Sequence, residues 1–151
     1  MKNRSLLILT ACLLGLSPVF AQNPEEAAVQ ATIDRLFEGM KKGDSSLVRS
    51  IFHSTARLQT AYMSKEGKPL LQSEAIAGFV KAVGTPHKEV WDERISGYNI
   101  RIDDNLATAW TPYEFYVDGK YLHEGVNAFQ LFRSPEGWKI IQICDTRRKR
   151  K

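Results

Sequence analysis

LATAWTPYEFYVDGKYLHEGVNAFQLF, residues 106–132, is the stretch that decides the fold. It consists of two runs rich in aromatic and aliphatic residues, 106–117 and 120–132, joined by Asp118-Gly119. An Asp-Gly pair between two such runs is typical of a two-residue β-hairpin. The stretch therefore predicts two long antiparallel strands.

The turn also sets a register for this hairpin. A two-residue loop pairs Val117 with Lys120, and continued without interruption this register places Pro112 opposite Gly125. Proline has no N–H for the ladder, and a glycine inside a strand marks a bulge or a close backbone approach. We therefore expect both strands to bend here and the sheet to curl.

Before residue 86 the chain shows the periodicity of helices, whereas strand-like alternation of apolar and polar residues dominates after it. Apolar residues recur at steps of three and four in three segments before Pro86, which predicts amphipathic helices. The predicted helices are residues 23–42, 44–52 and 73–84, and the further predicted strands are residues 57–63, 90–102 and 138–146. Helices followed by an antiparallel meander make an α+β fold. A long helix across the hollow of a curled sheet would give a cone with one closed and one open end.

Residues 1–21 have the three parts of a secretory signal peptide. Lys2 and Arg4 precede an apolar run, and Val19-Phe20-Ala21 is a small-x-small cleavage signal. The run is too short to span a bilayer, so we expect export to the periplasm or the cell exterior. Residues 9–12 loosely resemble a lipoprotein box that would lipidate Cys12. However, residues 13–20 stay apolar where a lipoprotein would have a polar tether.

The remaining chain reads as one domain, residues 22–146, followed by a basic tail, residues 147–151. The chain has 151 residues and a net charge of +4. The tail holds five of the cations, so the domain itself is acidic and nucleic-acid binding is excluded. The tail could touch phosphates or an anionic membrane, but we expect a frayed, solvated end.

Cysteine and histidine give no sign of a metal or a disulfide. Once the signal peptide is removed, Cys144 has no partner for an internal disulfide. The three histidines and Cys144 lack the spacing of zinc ligands. Motifs for a nucleophilic serine or for phosphate binding do not occur either. We expect no metal and no cofactor.

One face of the predicted hairpin carries side chains that could serve chemistry. The uninterrupted register places Trp110 opposite Asn127 and Glu114 opposite His123, with Phe129 further along the same face. His123 and Glu114 could form an acid–base pair, or simply a polar contact between strands. Trp110 could stack on a flat ligand, or fill the core as large aromatics usually do.

The last predicted strand adds a second set of candidates, whose orientation depends on the turn before it. Either Ile141, Ile143 and Asp145 face this side, or Gln142 and Cys144 do. Asp145 would be another carboxylate for His123. The resulting candidate ligand-binding residues are Trp110, His123, Asn127, Phe129 and Ile143, and the catalytic candidates are His123, Glu114 and Asp145.

Residues 25–147 resemble the NTF2-like superfamily, its SnoaL-like and lumazine-binding-like branch in particular. The resemblance rests on the order and spacing of short pieces: KKGD (41–44), FH (52–53), DNLA (104–107), HEGVNAF (123–129) and GWKI (137–140). It implies a strongly curled antiparallel sheet with three N-terminal helices packed on it, a conical cavity and a homodimer.

The superfamily includes ketosteroid isomerases, whose functional positions correspond to Leu36, Thr60 and Phe129 here. None of these three side chains can abstract or donate the protons of that reaction, which argues against isomerase activity. Three hypotheses remain. The first is an exported, non-catalytic protein that binds a small, partly apolar molecule. The second is a SnoaL-like enzyme of cyclase, dehydratase or isomerase type using a His/carboxylate pair, and the third is a dimerising module without a ligand.

Overall fold

The structure is a computed structural model that describes residues 23–150, so the predicted signal peptide and Cys12 lie outside the described residues. Its elements are α1 (Pro24–Lys42), α2 (Ser45–Ile51), β1 (Phe52–Met63), β2 (Pro69–Ala75), α3 (Ile76–Gly84), β3 (Trp91–Ile95), β4 (Asn99–Asp103), β5 (Leu106–Val117), β6 (Lys120–Ser134) and β7 (Gly137–Arg147). The predicted α+β class is confirmed.

The helices begin and end where local chemistry favours it. Asn23 caps α1 by accepting a hydrogen bond from the backbone N–H of Glu25, and Gly43 ends the helix with a left-handed φ of 67°. Asp44 caps α2 through the N–H of Leu47. The apolar stripe of α1, including Val29, packs against the sheet and is buried in the core.

Seven strands form one curled, unclosed sheet in the order β2-β1-β7-β6-β5-β3, and β4 also pairs with β5. Every pairing is antiparallel except that of β1 with β7, which is parallel. The sheet is therefore mixed, whereas we expected a wholly antiparallel one. The exception is the pair formed by the first and the last strand.

Two predicted elements are wrong in part. Residues 73–75 begin no helix: they belong to β2, which pairs with β1, and α3 starts at Ile76. The predicted strand 90–102 is two strands, since β3 pairs with one half of β5 and β4 with the other. The break at residues 96–98 faces Pro112, whose carbonyl accepts a hydrogen bond from the N–H of Ser96 at 3.0 Å.

The β5–β6 hairpin contains a bulge that the turn does not reveal. Tyr116 pairs with Tyr121 as predicted, but Phe115 pairs with His123, so Leu122 is an extra residue on β6. Beyond the bulge the register differs from the predicted one by one residue. Gly125 therefore lies opposite Tyr113 and not opposite Pro112.

Gly125 does mark a close approach, as the sequence indicated. A Cβ on this residue would lie 1.8 Å from the carbonyl oxygen of Thr146 on β7. No side chain fits there unless β6 and β7 separate. The glycine thus allows the two strands to come together where the sheet curls.

The basic end of the chain is not frayed in its described part. Arg147 belongs to β7, and Arg148 exchanges two backbone hydrogen bonds of 3.0 Å with Glu124. The side chains of Arg148 and Arg150 pair with Glu124. Arg148 therefore extends the pairing of β7 by one bridge, and the acidic side chains of Glu114 and Glu124 hold Arg150 beside it.

Candidate functional site

The concave face of the sheet, α1 and α3 enclose a cavity of about 450 Å³. Most of its wall is apolar: aromatic and aliphatic side chains come from both helices and five strands. Among them are Leu36, Phe37, Met40, Leu58, Phe79, Trp91, Phe115, Phe129 and Ile143. Phe37 and Phe129 meet edge to face, with ring centroids 6.3 Å apart. This wall suits a flat or partly apolar molecule.

One row of polar side chains crosses the apolar wall. Thr111, Asn127, Asp145 and Thr60 occupy directly paired positions on β5, β6, β7 and β1. Thr111, Asn127 and Asp145 are buried. Among the described residues the buried hydroxyl of Thr111 has no hydrogen-bond partner. Of these four residues, Thr60, Asn127 and Asp145 line the cavity, so β1, β6 and β7 bring hydrogen-bonding groups to it from directly paired positions.

Asp145 is the most heavily hydrogen-bonded member of this row. Its Oδ1 accepts from Thr60 Oγ1 at 2.6 Å, and its Oδ2 accepts from Tyr113 OH at 3.2 Å and from Arg147 Nε at 2.8 Å. Burial and the nearby Asp145 carboxylate raise the pKa of the Tyr113 phenol, so this group stays protonated. The carboxylate of Asp145 is thus held by three donors, one of them cationic.

Glu93 is a cavity residue that sequence reasoning missed. Asn127 Nδ2 donates to Glu93 Oε1 at 2.7 Å. The carboxyl group faces the cavity, yet the surrounding protein removes it from bulk water, and this burial raises the pKa of Glu93 to about 7. The signal lay in the alternation Trp91, Glu93, Ile95, which puts a carboxylate on an otherwise apolar strand face.

His123 lies in the cavity wall beside two aromatic rings. Its ring centroid is 5.8 Å from that of Tyr113 and 5.1 Å from that of Phe115. Burial, followed by the positive charge of Arg147, lowers the pKa of His123 below its ordinary value of 6.5. The imidazole is therefore neutral at pH 7.

The cavity contains four of the predicted ligand-binding residues but not Trp110. His123, Asn127, Phe129 and Ile143 line it, whereas the Trp110 side chain is 54% exposed on the convex face. The placement predicted for Trp110 is wrong because the bulge at Leu122 shifts the register, and Trp110 pairs with Ala128.

The same shift separates Glu114 from His123. Glu114 pairs with Glu124 and lies on the convex face, where Tyr116 and Arg150 hydrogen-bond to its carboxylate. The predicted Glu114–His123 pair is therefore wrong. Asp145, the other predicted carboxylate, does line the cavity together with His123, so the first of the two orientations considered for β7 holds for Ile143 and Asp145.

A wider surface depression of about 610 Å³ lies between α2 and α3. It is open to solvent and is lined by Arg49, Lys81 and small residues. No polar row of the kind found in the enclosed cavity faces it. We therefore take the cavity, and not this depression, as the candidate site.

The sequence profile of a family described as "putative lumazine-binding" matches residues 24–143. The chain belongs to this family. No curated protein matches this chain.

Solved structures show which fold this family member adopts. An NTF2-like protein of unknown function from Shewanella baltica aligns with a TM-score of 0.59 at 18% identity, covering 83% of this chain and 95% of that one. A "putative dehydratase from the NTF2-like family" of Streptomyces avermitilis gives 0.62 at 11% identity, with 82% and 96% covered.

A third likeness is to the beta subunit of a "putative aromatic-ring-hydroxylating dioxygenase" from Novosphingobium aromaticivorans, with a TM-score of 0.67 at 12% identity and 83% and 90% coverage. These identities establish the fold alone. The conical NTF2-like fold expected from the sequence is confirmed, and the family member belongs to that superfamily. The solved structures differ in named role, so fold does not decide function here.

Proposed function

We propose that this protein binds a small, partly apolar molecule in the cavity between α1 and the concave sheet face, without converting it. The observation that carries the proposal is an enclosed, mainly apolar and aromatic wall that also carries the paired polar side chains Thr60, Asn127 and Asp145. A volume of about 450 Å³ lies within the range of small-molecule sites, roughly 300–1,000 Å³. The description of the family supports the same class of function.

The geometry supports a defined orientation for such a ligand. Phe37 and Phe129 offer ring edges and faces at the apolar end, whereas Asn127 and Glu93 offer hydrogen-bonding groups along the wall. A bound ring would bury its apolar surface against the aromatic side chains and direct one polar edge towards the row. A few fixed polar groups in an apolar site give specificity in this way.

A thermal-shift screen of aromatic and heterocyclic compounds, together with native mass spectrometry of the purified protein, tests the proposal. A bound ligand stabilises the folded state, so the melting temperature rises. Ile143→Trp adds a ring inside the cavity and should abolish the shift. Gln142→Trp adds the same ring on the neighbouring residue of β7, whose side chain points to the convex face, and should leave the shift intact. Equal shifts for both variants would contradict the proposal.

A second candidate is acid–base catalysis of the SnoaL-like type. The observation in its favour is that Glu93, with a pKa of about 7, shares the cavity with the neutral imidazole of His123. Groups that titrate near the working pH transfer protons efficiently. Loss of turnover in both Glu93→Gln and His123→Ala would favour this candidate. Ligand binding without any chemical change in the ligand would favour the first.

We also propose that the protein is exported and forms a homodimer. Export rests on the signal-peptide pattern of residues 1–21. None of the helices within residues 23–150 is both long and apolar enough to cross a membrane. The dimer is supported by Trp110, which stands 54% exposed on the convex sheet face. If that face served only association, the third hypothesis, a module without a ligand, would apply.

A further inference from the structure

Among the residues that the structure describes, the Glu93 carboxylate accepts a hydrogen bond at one of its two oxygens. Oε1 accepts the hydrogen bond from Asn127. Within residues 23–150, no hydrogen bond to Oε2 occurs, and Glu93 is one of the residues that line the cavity. A carboxylate oxygen in an apolar enclosure is costly to leave unpaired. A donor belonging to a ligand would satisfy it.

The other charged groups that face Glu93 leave this carboxylate uncompensated. On β7, Arg147 forms a salt bridge with Asp145, and the two charges offset each other. His123 on β6 and Tyr113 on β5 are neutral at pH 7. α1 presents Phe37 and Met40 to the cavity, and its Lys41 pairs with Asp92 instead. Glu74, also in the lining, adds a second negative charge.

Aromatic rings surround the same carboxylate. Phe115 is the direct cross-strand neighbour of Glu93, and Trp91 precedes it by two residues on the same face of β3. Both rings line the cavity. Aromatic faces attract cations, and desolvation strengthens the attraction. Glu93 thus supplies a negative charge, and Phe115 and Trp91 supply aromatic rings that can form cation–π contacts with the same ligand.

We propose that the cavity selects organic cations, namely flat amidinium or ammonium compounds whose charged nitrogen donates to Glu93 Oε2 while the apolar part packs between the aromatic side chains. This inference rests on the proposed function and narrows its ligand class. Amidinium is the better match of the two, since its plane can lie against Phe115 while one N–H points to the carboxylate.

Three probes of nearly the same shape test the proposal: benzamidine is a cation, benzamide is neutral and benzoate is an anion. Titration calorimetry on the purified protein at pH 8 measures their affinities. Benzamidine should bind at least about tenfold more tightly than benzamide, and benzoate should bind weakest, because a charge-assisted hydrogen bond is stronger than a neutral one. Benzamidine affinity should rise between pH 6 and pH 8, as Glu93 loses its proton.

Two variants attribute the selectivity to Glu93. Glu93→Gln keeps the shape and the acceptor for Asn127 but removes the charge, so the benzamidine advantage should disappear while benzamide binding is retained. Glu114→Gln removes the same charge from the convex face and should leave the advantage unchanged. Retained benzamide binding by Glu93→Gln also shows that this variant is folded.

The results that follow would each contradict the proposed selectivity for cations. If benzamide or benzoate binds as tightly as benzamidine, the cavity binds small molecules but does not select cations, and the proposed function survives. If Glu93→Gln keeps the benzamidine advantage, another group selects the cation. If none of the three probes binds, the selectivity is wrong, and the screen and the Ile143→Trp variant decide the proposed function separately.

Discussion

The protonation of Glu93 in the cavity should make the free energy of unfolding depend on pH. Its pKa is about 7 in the folded protein and near the ordinary 4.5 once unfolded, so the folded state binds more protons between these values. The free energy of unfolding should therefore fall as pH rises from about 4.5 to 7, by up to about 3 kcal/mol from this residue. In Glu93→Gln this contribution should be absent.

Urea denaturation of both proteins at pH 5 and pH 8 measures this effect. Other groups titrate in both proteins, so the difference between them isolates Glu93. We expect Glu93→Gln to gain stability relative to the parent as pH rises, because an ionised carboxylate is no longer held in the apolar cavity. Parallel pH profiles for the two proteins would contradict the raised pKa.

Gly125 can be tested against a second glycine of the same chain. In Gly125→Ala the new Cβ would collide with the carbonyl oxygen of Thr146, 1.8 Å away, so β6 and β7 must separate. We expect a loss of about 2–4 kcal/mol in the free energy of unfolding, measured in urea. Gly97→Ala is the control, since no atom lies within 4 Å of its Cβ position. Equal losses would show that the close approach is not what requires Gly125.

The inward-facing residues of the site could be predicted in part. Asn127, Phe129 and His123 follow from alternation along one strand, which a change of partner register does not alter. The predicted placement of Trp110 and Glu114 depends on their partners across the hairpin, and a single extra residue, Leu122, reverses the face on which both lie. Residues 120–124 contain neither glycine nor proline, so nothing at Leu122 itself signals the bulge.

Two consecutive arginines, at the end of β7 and directly after it, lie on opposite faces of the sheet. Arg147 reaches the buried Asp145 on the cavity side, whereas Arg148 pairs with Glu124 on the convex side. Arg147→Ala should lower the free energy of unfolding by about 1–2 kcal/mol, since Asp145 loses its cation while remaining buried. Arg148→Ala removes a more exposed pair and should cost less than about 1 kcal/mol.

The same pair of variants has a second readout in the histidine. The charge of Arg147 contributes to the lowered pKa of His123. An NMR titration of His123 should therefore give a higher pKa in Arg147→Ala than in the parent, and no rise in Arg148→Ala. A His123 pKa that does not respond to Arg147→Ala would mean that the arginine does not reach the cavity.

Strands that depend on long-range partners were the hardest elements to predict. β2 has both faces exposed, so it shows no alternation of apolar and polar residues, and only its pairing with β1 makes it a strand. β3 and β4 read as one run, yet the bend of β5 at Pro112 prevents a single strand from following it. For this reason the sequence does not predict Glu93 as a cavity residue, because it does not show which strand pairs with β3.

For the whole molecule, the cavity and the convex face are two sides of one sheet. The curl of the sheet forms the cavity on the concave side. On the convex side Trp110 and Pro112 are exposed and Val126 is half-buried. Apolar residues on the sheet's convex face would be covered in a homodimer without closing the cavity. Association and ligand binding are therefore expected to be separable by substitution.

Trp110→Arg tests this separation. The charged side chain should prevent a second copy from packing on the convex face, so light scattering after size exclusion should change from a dimer to a monomer mass. Benzamidine binding should persist, because Trp110 does not line the cavity. Met63→Arg is the control, since Met63 is similarly exposed, at 60%, but lies at the far end of β1. A monomeric parent would reject the dimer, whereas loss of both properties in Trp110→Arg would mean that the cavity forms only within the dimer.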